Sequence, residues 1–530
     1  MNAVKKYGLL GAAGLSLATV AALLPGSASA GAQDPFAGGL QPSANPRVGI
    51  EDNVLISSLR ESSVAWGQLP LTNPDTGNGV THYGYNTSNS TVLTQDPKEA
   101  FKTEPDKNVY LVFNGRHYLY QGHEGGPRGY VTRVDLDETD PLKRVTLISD
   151  TGTGADAKPP TFDGITWDPF TSQLLLTSEA AAPTGGVFAL KLDGNGNPTD
   201  GLVSRLPALG SGGYEGIQND SAGNVWIVED IGGRAPAGHQ NSKVPNSYVY
   251  RFTPTDKADL AAGGKLEALQ VRRSNGQPVT AQDLSTGTDP FLTQLHTYGS
   301  SFTTAWVTVA NPANSTVGAA GAGATPFKRP ENGVFRPGTG FKEFYFTETG
   351  DTNANSDVPG AFGAVFALAQ SSPSASTGRI SPVAIGDVEH TGLDNISFAT
   401  SDQLLVVEDA GDTLHGQRNA LDSGYTINLG NQRKAPEFVR WLAEGRDASA
   451  TYDAVIPHIT KNDGDNEVTG IHVSDGDPGV GGILGAKVPT PFNRGWRAFW
   501  TQQHGDNVTW ELAPSSTSRH GADQGDGNDH

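Results

Sequence analysis

A short motif recurs along the chain and restricts the folds that the chain can adopt. An acidic residue, then glycine or asparagine, then isoleucine stand at the start of three apolar segments, at Asp163, Glu215 and Asp394. A looser copy begins at Glu467, where two residues are inserted. Self-similarity of this kind is typical of repeat proteins, in which each copy forms the same supersecondary unit. The sequence therefore predicts one structural unit that is built several times.

Two further segments with apolar residues at every second position accompany the motif. This alternation predicts strands that bury one face. The second segments end in an acid, and they span residues 118–124, 174–179, 225–230, 344–348 and 404–409. The third segments begin at Tyr130, Val187, Tyr248, Val365 and Tyr425.

Repeated units of three or four antiparallel strands are typical of propeller blades. We count five such units and a sixth, which predicts an all-β fold, a β-propeller of six blades with inserted loops and short helices. A sandwich or a solenoid would also contain many short strands, but neither explains why acids recur at equivalent strand ends. Residues 256–270 and 435–444 have helical periodicity, so we predict helices there, outside the sheets.

The two ends of the chain differ in composition from the repeats. Lys5 and Lys6 precede an apolar run, and Ala28-Ser29-Ala30 has the small-x-small pattern that signal peptidase cleaves. We therefore predict a signal peptide at 1–30 and a secreted or periplasmic protein. An N-terminal arm at 31–55, a single propeller domain at 56–514 and a disordered tail at 515–530 complete the predicted organisation.

Charge and cysteine content narrow the possible partners. The formal net charge is −20, and an acidic surface argues against nucleic acid as a partner. The chain has no cysteine, so disulfides and thiolate metal sites are impossible, and a large core or bound ions must stabilise an exported protein. We expect a monomer without a membrane span.

The recurrent acids predict metal binding. A carboxylate at a buried strand end is costly unless it is paired or bound to a metal, and few lysines or arginines lie nearby in the sequence. Oxygen ligands favour Ca²⁺ over Mg²⁺, because calcium accepts six to eight ligands in irregular geometry. The predicted ligands are Glu124, Asp163, Glu179, Glu215, Glu229, Glu348, Asp394, Glu408 and Glu467.

Two other interpretations of acidic residues stay open at this point. Each recurrent acid could instead cap a turn through its own backbone N–H groups. Separately, residues 351–357 carry oxygen ligands at alternate positions, as calcium loops do, but lack the glycine and the glutamate that complete such a loop.

The repeats resemble the PhoX family of secreted alkaline phosphatases over about residues 105 to 480. The motifs that carry the resemblance are His123-Glu124, Leu176-Thr-Ser-Glu179, Tyr214-Glu215-Gly-Ile, Ile227-Val-Glu229-Asp230, Tyr345-Phe-Thr-Glu348, Leu393-Asp394-Asn395-Ile, Val407-Glu408-Asp409 and Glu467-Val-Thr-Gly470.

The resemblance implies a six-bladed propeller that hydrolyses phosphomonoesters and holds several calcium ions and an iron cluster. By position, Glu179, Glu215, Asp394, Glu408 and Glu467 look like the metal ligands. The family's iron site uses a cysteine in the region that corresponds to 161–164, where this chain offers only Asp163. The family also commonly uses a twin-arginine signal, whereas this chain has Lys5-Lys6. Both departures weaken the expectation of iron more than that of calcium.

The predicted activity is metal-assisted hydrolysis of a small-molecule phosphoester. Clustered cations polarise phosphoryl oxygens and activate water. Arg128, Arg234 and Arg418 follow second strands, so they are the predicted groups that bind the substrate phosphate. Two alternatives remain, a different calcium-dependent propeller hydrolase such as a lactonase, and a non-catalytic propeller in which ions only stabilise the blades.

Overall fold

The computed structural model describes residues 34–37, 39–40, 53–84, 103–418, 420, 422–430, 433–444, 467–503 and 507–515. The predicted signal peptide and all of the predicted tail after Ser515 lie outside these residues. No helix within the described ranges is long and apolar enough to cross a membrane.

Strands dominate the described residues. Many strands are buried on both sides, and turns that contain glycine connect the strands. In chain order they are β1 (Val54–Leu55), β2 (Leu59–Ala65), β3 (Pro70–Asp75), β4 (Val80–His82), β5 (Pro105–Phe113), β6 (Arg116–His123), β7 (Val131–Asp135), β8 (Val145–Ser149), β9 (Thr151–Gly152), β10 (Ile165–Asp168), β11 (Gln173–Ser178), β12 (Gly186–Lys191), β13 (Leu202–Arg205), β14 (Tyr214–Asn219), β15 (Val225–Glu229), β16 (Val249–Pro254), β17 (Gly264–Arg272), β18 (Phe302–Thr308), β19 (Gly333–Phe335), β20 (Glu343–Glu348), β21 (Ala364–Gln370), β22 (Thr377–Ile385), β23 (Leu393–Phe398), β24 (Gln403–Glu408), β25 (Ser423–Asn428), β26 (Phe438–Ala443), β27 (Glu467–Ser474), β28 (Arg497–Gln503) and β29 (Val508–Pro514).

The strands form four-stranded antiparallel units. Five units are consecutive in the chain, namely β5–β8, β10–β13, β14–β17, β19–β22 and β23–β26. The sixth combines β27, β28 and β29 with the N-terminal strand β2, so that both ends of the domain share one sheet. Strand β18 pairs with β17 and β22 and joins the third and fourth units, and β3 pairs with β4 in a separate hairpin.

The first strands of these units contact one another in a closed order. Strand β5 contacts β10, and the contacts continue through β14, β19, β23 and β27 back to β5. This arrangement is the β-propeller that the sequence predicts. Six units lie within the described residues, but the number of blades stays a prediction because the count covers only those residues.

The core lies between neighbouring sheets. Trp226, Trp441 and Trp500 are the largest fully buried side chains, and the Trp226 ring packs edge-on against Trp306 with 5.2 Å between ring centroids. Burying one large apolar side chain contributes about 1.5–3 kcal/mol. The fold therefore depends on contacts between units as much as on pairing within them.

The helices are short and lie in insertions. They are α1 (Ala281–Leu284), α2 (Pro290–Leu295), α3 (Ser315–Gly321) and α4 (Gly411–Arg418), with single 3-10 turns at Pro141–Lys143, Gly154–Asp156, Pro207–Leu209, Leu260–Ala262, Pro312–Asn314 and Val480–Gly482. The two helices predicted at 256–270 and 435–444 are wrong, because strand β17 occupies residues 264–270 of the first segment and strand β26 occupies residues 438–443 of the second. In β17 the apolar residues pack between sheets while Glu267 pairs with Arg251, so tertiary contacts decide the conformation.

The N-terminal arm contacts the sheets where it is described. Strand β1 pairs with β26, and the fully buried Phe36 packs against Trp441 with 5.7 Å between ring centroids. These described parts of the predicted arm are therefore packed on the sheets.

Candidate metal centre

The starts of the first strands bring acidic residues together. Each first strand is antiparallel to the second strand of its unit, so the start of one lies beside the end of the other. Because the first strands contact one another in a ring, these strand ends converge from all units.

Irregular pairing turns the acids inward. The ladders are interrupted by bulges next to Asp106, Glu215 and Asp394, at the positions where each first strand approaches its neighbours. A bulge re-aims a side chain at the cost of one ladder position. Space is limited here: a Cβ added to Gly164 would lie 2.3 Å from the backbone oxygen of Glu215. The glycine in the recurrent motif is therefore required by the close approach of two units.

Among the residues that the structure describes, carboxylate oxygens form four overlapping groups, in each of which one oxygen per residue lies within 4.8 Å of the others. Two oxygens bound to the same calcium lie at most about 5 Å apart, twice the calcium–oxygen distance. The groups are Asp106, Glu124 and Asp163; Asp163, Glu179 and Glu215; Glu179, Asp230 and Glu331; and Glu215, Glu331 and Asp394. Asp409 and Glu467 interact electrostatically with Asp394. We call these ten residues the central cluster.

The central cluster has a buried and a half-buried part. Asp106, Asp163 and Asp394, at the starts of first strands, are buried. Glu124, Glu179 and Asp409 directly follow second strands and are half-buried. Asp230 holds the same position after β15, and its carboxylate pairs with Arg329. The half-buried residues mark the side from which solvent reaches the cluster.

Three predicted ligands lie outside the central cluster. Glu229, Glu348 and Glu408 are the last residues of their second strands. The next residues after Glu229 and Glu408 are Asp230 and Asp409, which join the cluster, whereas Thr349 follows Glu348. Because successive side chains of a strand point in opposite directions, these three face away from the cluster. Within the described residues, none of the three belongs to a carboxylate group that could hold a metal ion.

Each of these three carboxylates contacts an inserted helix. Glu229 accepts a hydrogen bond from Thr316 of α3 at 2.6 Å. Glu348 pairs at 2.9 Å with His296, which follows α2. Glu408 pairs at 3.1 Å with Arg418 at the end of α4. These acids thus fix the positions of three insertions.

The pKa values in the central cluster are raised by burial. Burial and then the charges of neighbouring carboxylates raise the pKa of Asp163, Asp394 and Glu467 well above the ordinary value. The same causes raise the pKa of Glu179 to about 7, although Arg329 opposes the shift. Carboxylates that resist ionisation in the free protein gain most from a bound cation.

Two cationic side chains interact with the cluster. Arg329 pairs with Asp230 at 2.7 Å and with Glu331 at 3.4 Å. Lys107 is buried, and burial lowers its pKa to about 8 although the surrounding carboxylates oppose this. Among the described residues, these two cations are too few to neutralise ten ionised carboxylates.

The three arginines predicted to bind phosphate have other contacts. Arg418 is buried between Glu408 and Asp422, which it contacts at 3.1 and 2.8 Å. Arg128 donates a hydrogen bond to the backbone oxygen of Asp150 at 2.7 Å, and the exposed Arg234 donates to that of Ser285 at 2.9 Å. The described contacts do not bring any of the three to the central cluster.

The donor set fits a hard divalent cation. The buried Oδ1 of Asp163 has no hydrogen-bond partner among the described residues, although Asp163 belongs to two of the carboxylate groups. An unsatisfied buried carboxylate oxygen is costly without a cation. Asp163 and its neighbours would hold a hard divalent cation, because all of the donors are oxygens. No thiolate is available, so the residues do not match the cysteine-containing iron site that the resemblance implies.

Sequence reasoning missed several members of the cluster. Asp106, Asp230, Glu331 and Asp409 were not predicted ligands. Glu-Asp pairs end two second strands, and Glu331-Asn-Gly-Val resembles the recurrent motif, so a signal for three of them was present.

A comparison with protein families supports the resemblance. The family model described as "Alkaline phosphatase PhoX" matches residues 239–478, which include Arg329, Glu331, Asp394 and Asp409. The match confirms the resemblance to the PhoX family. It favours a phosphatase. No protein of curated function matches the chain in sequence.

Solved propellers are similar to the chain only at the level of fold. A soluble aldose sugar dehydrogenase from Escherichia coli is 10% identical, with 86% of this chain and 100% of that chain covered and a TM-score of 0.36. The WD40 propeller domain of Doa1 is 7% identical, with coverages of 78% and 99% and a TM-score of 0.31. A GH43_1 enzyme from Xanthomonas citri is 12% identical, with coverages of 62% and 88% and a TM-score of 0.30.

Proposed function

We propose that this protein is a calcium-dependent phosphomonoesterase whose active site is the central cluster. The observation that carries the proposal is the convergence of carboxylate oxygens from different units to within 4.8 Å of one another. The match to the PhoX family supports phosphoryl chemistry at this place.

Asp163, Glu179, Glu215, Glu331 and Asp394 are the proposed principal ligands. A divalent cation supplies Lewis-acid chemistry, because it withdraws charge from the phosphoryl oxygens and activates a water. Glu215 belongs to two of the carboxylate groups, so its loss affects more than one potential ion position.

Arg329 is the proposed phosphate-binding group of the chain. Its side chain keeps 21% of its surface exposed, in contrast to 3% for Arg418. Asp230 accepts hydrogen bonds from the Arg329 Nε at 2.8 Å and contacts Nη2, so the guanidinium is held in one orientation. A held guanidinium binds phosphoryl oxygens with less loss of entropy than a free one.

Hydrolysis of a chromogenic phosphomonoester, with calcium or with excess chelator, tests the proposal. Glu215→Gln keeps the side-chain size but removes a charged ligand, so kcat/KM should fall by about 100-fold or more. Asp357→Asn is the control, because Asp357 is 59% exposed and pairs with His239 outside the cluster. Equal, mild effects at both positions would contradict the proposal. Lactone hydrolysis without phosphatase activity would favour the lactonase alternative.

We also propose export after cleavage near Ala30, supported by the small-x-small pattern that precedes the domain. N-terminal sequencing of the protein recovered outside the cytoplasm should begin at Gly31. Sedimentation of the purified protein would test the expected monomer.

A further inference from the structure

Lys107 breaks the pattern of small residues at the inner ends of the first strands. The position after the acid is Gly164, Gly216, Asn332 or Asn395 in four other units. A Cβ at Gly216 would already lie 2.8 Å from the Asn332 Cα. A long side chain at this position must therefore extend along the inside of the ring.

The ammonium of Lys107 lies at the buried part of the central cluster. Lys107 is 2% exposed and donates a hydrogen bond to Oδ1 of Asn332, which belongs to a different unit. Four carboxylates from four units interact with its charge: Asp106, Asp394, Glu215 and Asp163. Three of these four are proposed calcium ligands.

We propose that Lys107 is a fixed internal cation, which takes the place of one divalent ion among the buried carboxylates of the central cluster. The inference rests on the proposed metal site, but it concerns the number of ions and not the reaction. An ammonium is a single charge that cannot be lost to a chelator, so it keeps the buried carboxylates together when calcium is absent.

Lys328 provides a matched control. It is also 2% exposed, and its ammonium pairs at 2.8 Å with Asp351, which is in none of the carboxylate groups. Lys107→Met and Lys328→Met therefore make the same chemical change in equally buried places. Only the first removes a positive charge from the central cluster.

The test measures calcium per chain by atomic emission after equilibration at pH 7 in calcium buffer, together with melting curves in calcium and in chelator. We expect Lys107→Met to bind about one more ion than the wild type, because the freed carboxylates offer a site of oxygen ligands. Its melting temperature should also rise more on addition of calcium. Lys328→Met should be less stable than the wild type with unchanged calcium content.

An unchanged calcium content and calcium response of Lys107→Met would overturn the inference. If this variant does not fold, the double variant Lys107→Met with Asp106→Asn restores the charge balance and should fold, and its failure would overturn the inference as well. The wild type separates this result from the proposed function. Wild-type protein without phosphatase activity contradicts that function, whereas the difference in calcium content between the variant and the wild type decides the role of Lys107.

Discussion

Replacing Glu179 with glutamine removes one negative charge from the central cluster and keeps the size of the side chain. Burial and the charge of Asp230 raise the pKa of Glu179 from 4.5 to about 7. In the metal-free protein the ionised carboxylate therefore destabilises the fold. Glu179→Gln should be more stable than the wild type without metal, although it should respond less to calcium.

The magnitude and the pH window follow from this shift. A shift from 4.5 to about 7 corresponds to about 3 kcal/mol, at 1.36 kcal/mol per pKa unit. Because Glu179 is half-buried, screening by water reduces the expected gain to roughly 2 kcal/mol. The folded-state pKa is raised, so the penalty is absent below pH 4.5, grows between pH 4.5 and about 7, and is complete above that range.

Urea denaturation in excess chelator at pH 4 and pH 9 measures the effect. The variant and the wild type should have similar unfolding free energies at pH 4, and the variant should be more stable at pH 9. In saturating calcium the difference should shrink or reverse, because the variant has lost a charged ligand. A variant that is less stable than the wild type at pH 9 in chelator would refute the reasoning.

Three other outcomes test separate parts of the structure. Excess chelator should lower the melting temperature of the wild type and calcium should restore it, because an ion at 100 times its Kd stabilises the native state by about 2.7 kcal/mol. Melting curves that do not change in chelator would argue against structural ions. Arg329→Met should lower kcat/KM for a phosphomonoester roughly 10- to 100-fold, because a charged hydrogen bond to the substrate is lost. The effect should lie mainly in KM, and an unchanged KM would show that Arg329 does not bind the phosphate. Arg418→Met should lower the free energy of unfolding by about 3–5 kcal/mol, because Glu408 and Asp422 are left buried without their cation, and its calcium content should stay normal. Loss of calcium from that variant would show that Arg418 supports the cluster after all.

The sequence by itself determined the repeated unit and its strands. Short apolar runs located the second and third strands of five units, and most residues of these strands are buried. The recurrent motif also identified Asp163, Glu215 and Asp394, which the structure brings into one cluster. The local sequence pattern was sufficient to predict these features, because each of them recurs from one unit to the next.

Only the tertiary structure decided which of two adjacent acids enters the cluster. Glu229 and Asp230 are neighbours in sequence, and so are Glu408 and Asp409. Because successive side chains of a strand point in opposite directions, only one acid of each pair faces the cluster. The two glutamates instead contact the inserted helices. The tertiary structure also decided which arginine lies at the cluster. The fold places Arg418 beside Glu408, outside the cluster, and Arg329 beside Asp230, which is part of it. Composition and spacing carry no information about that direction, which is set by how each strand end meets the next unit around the ring.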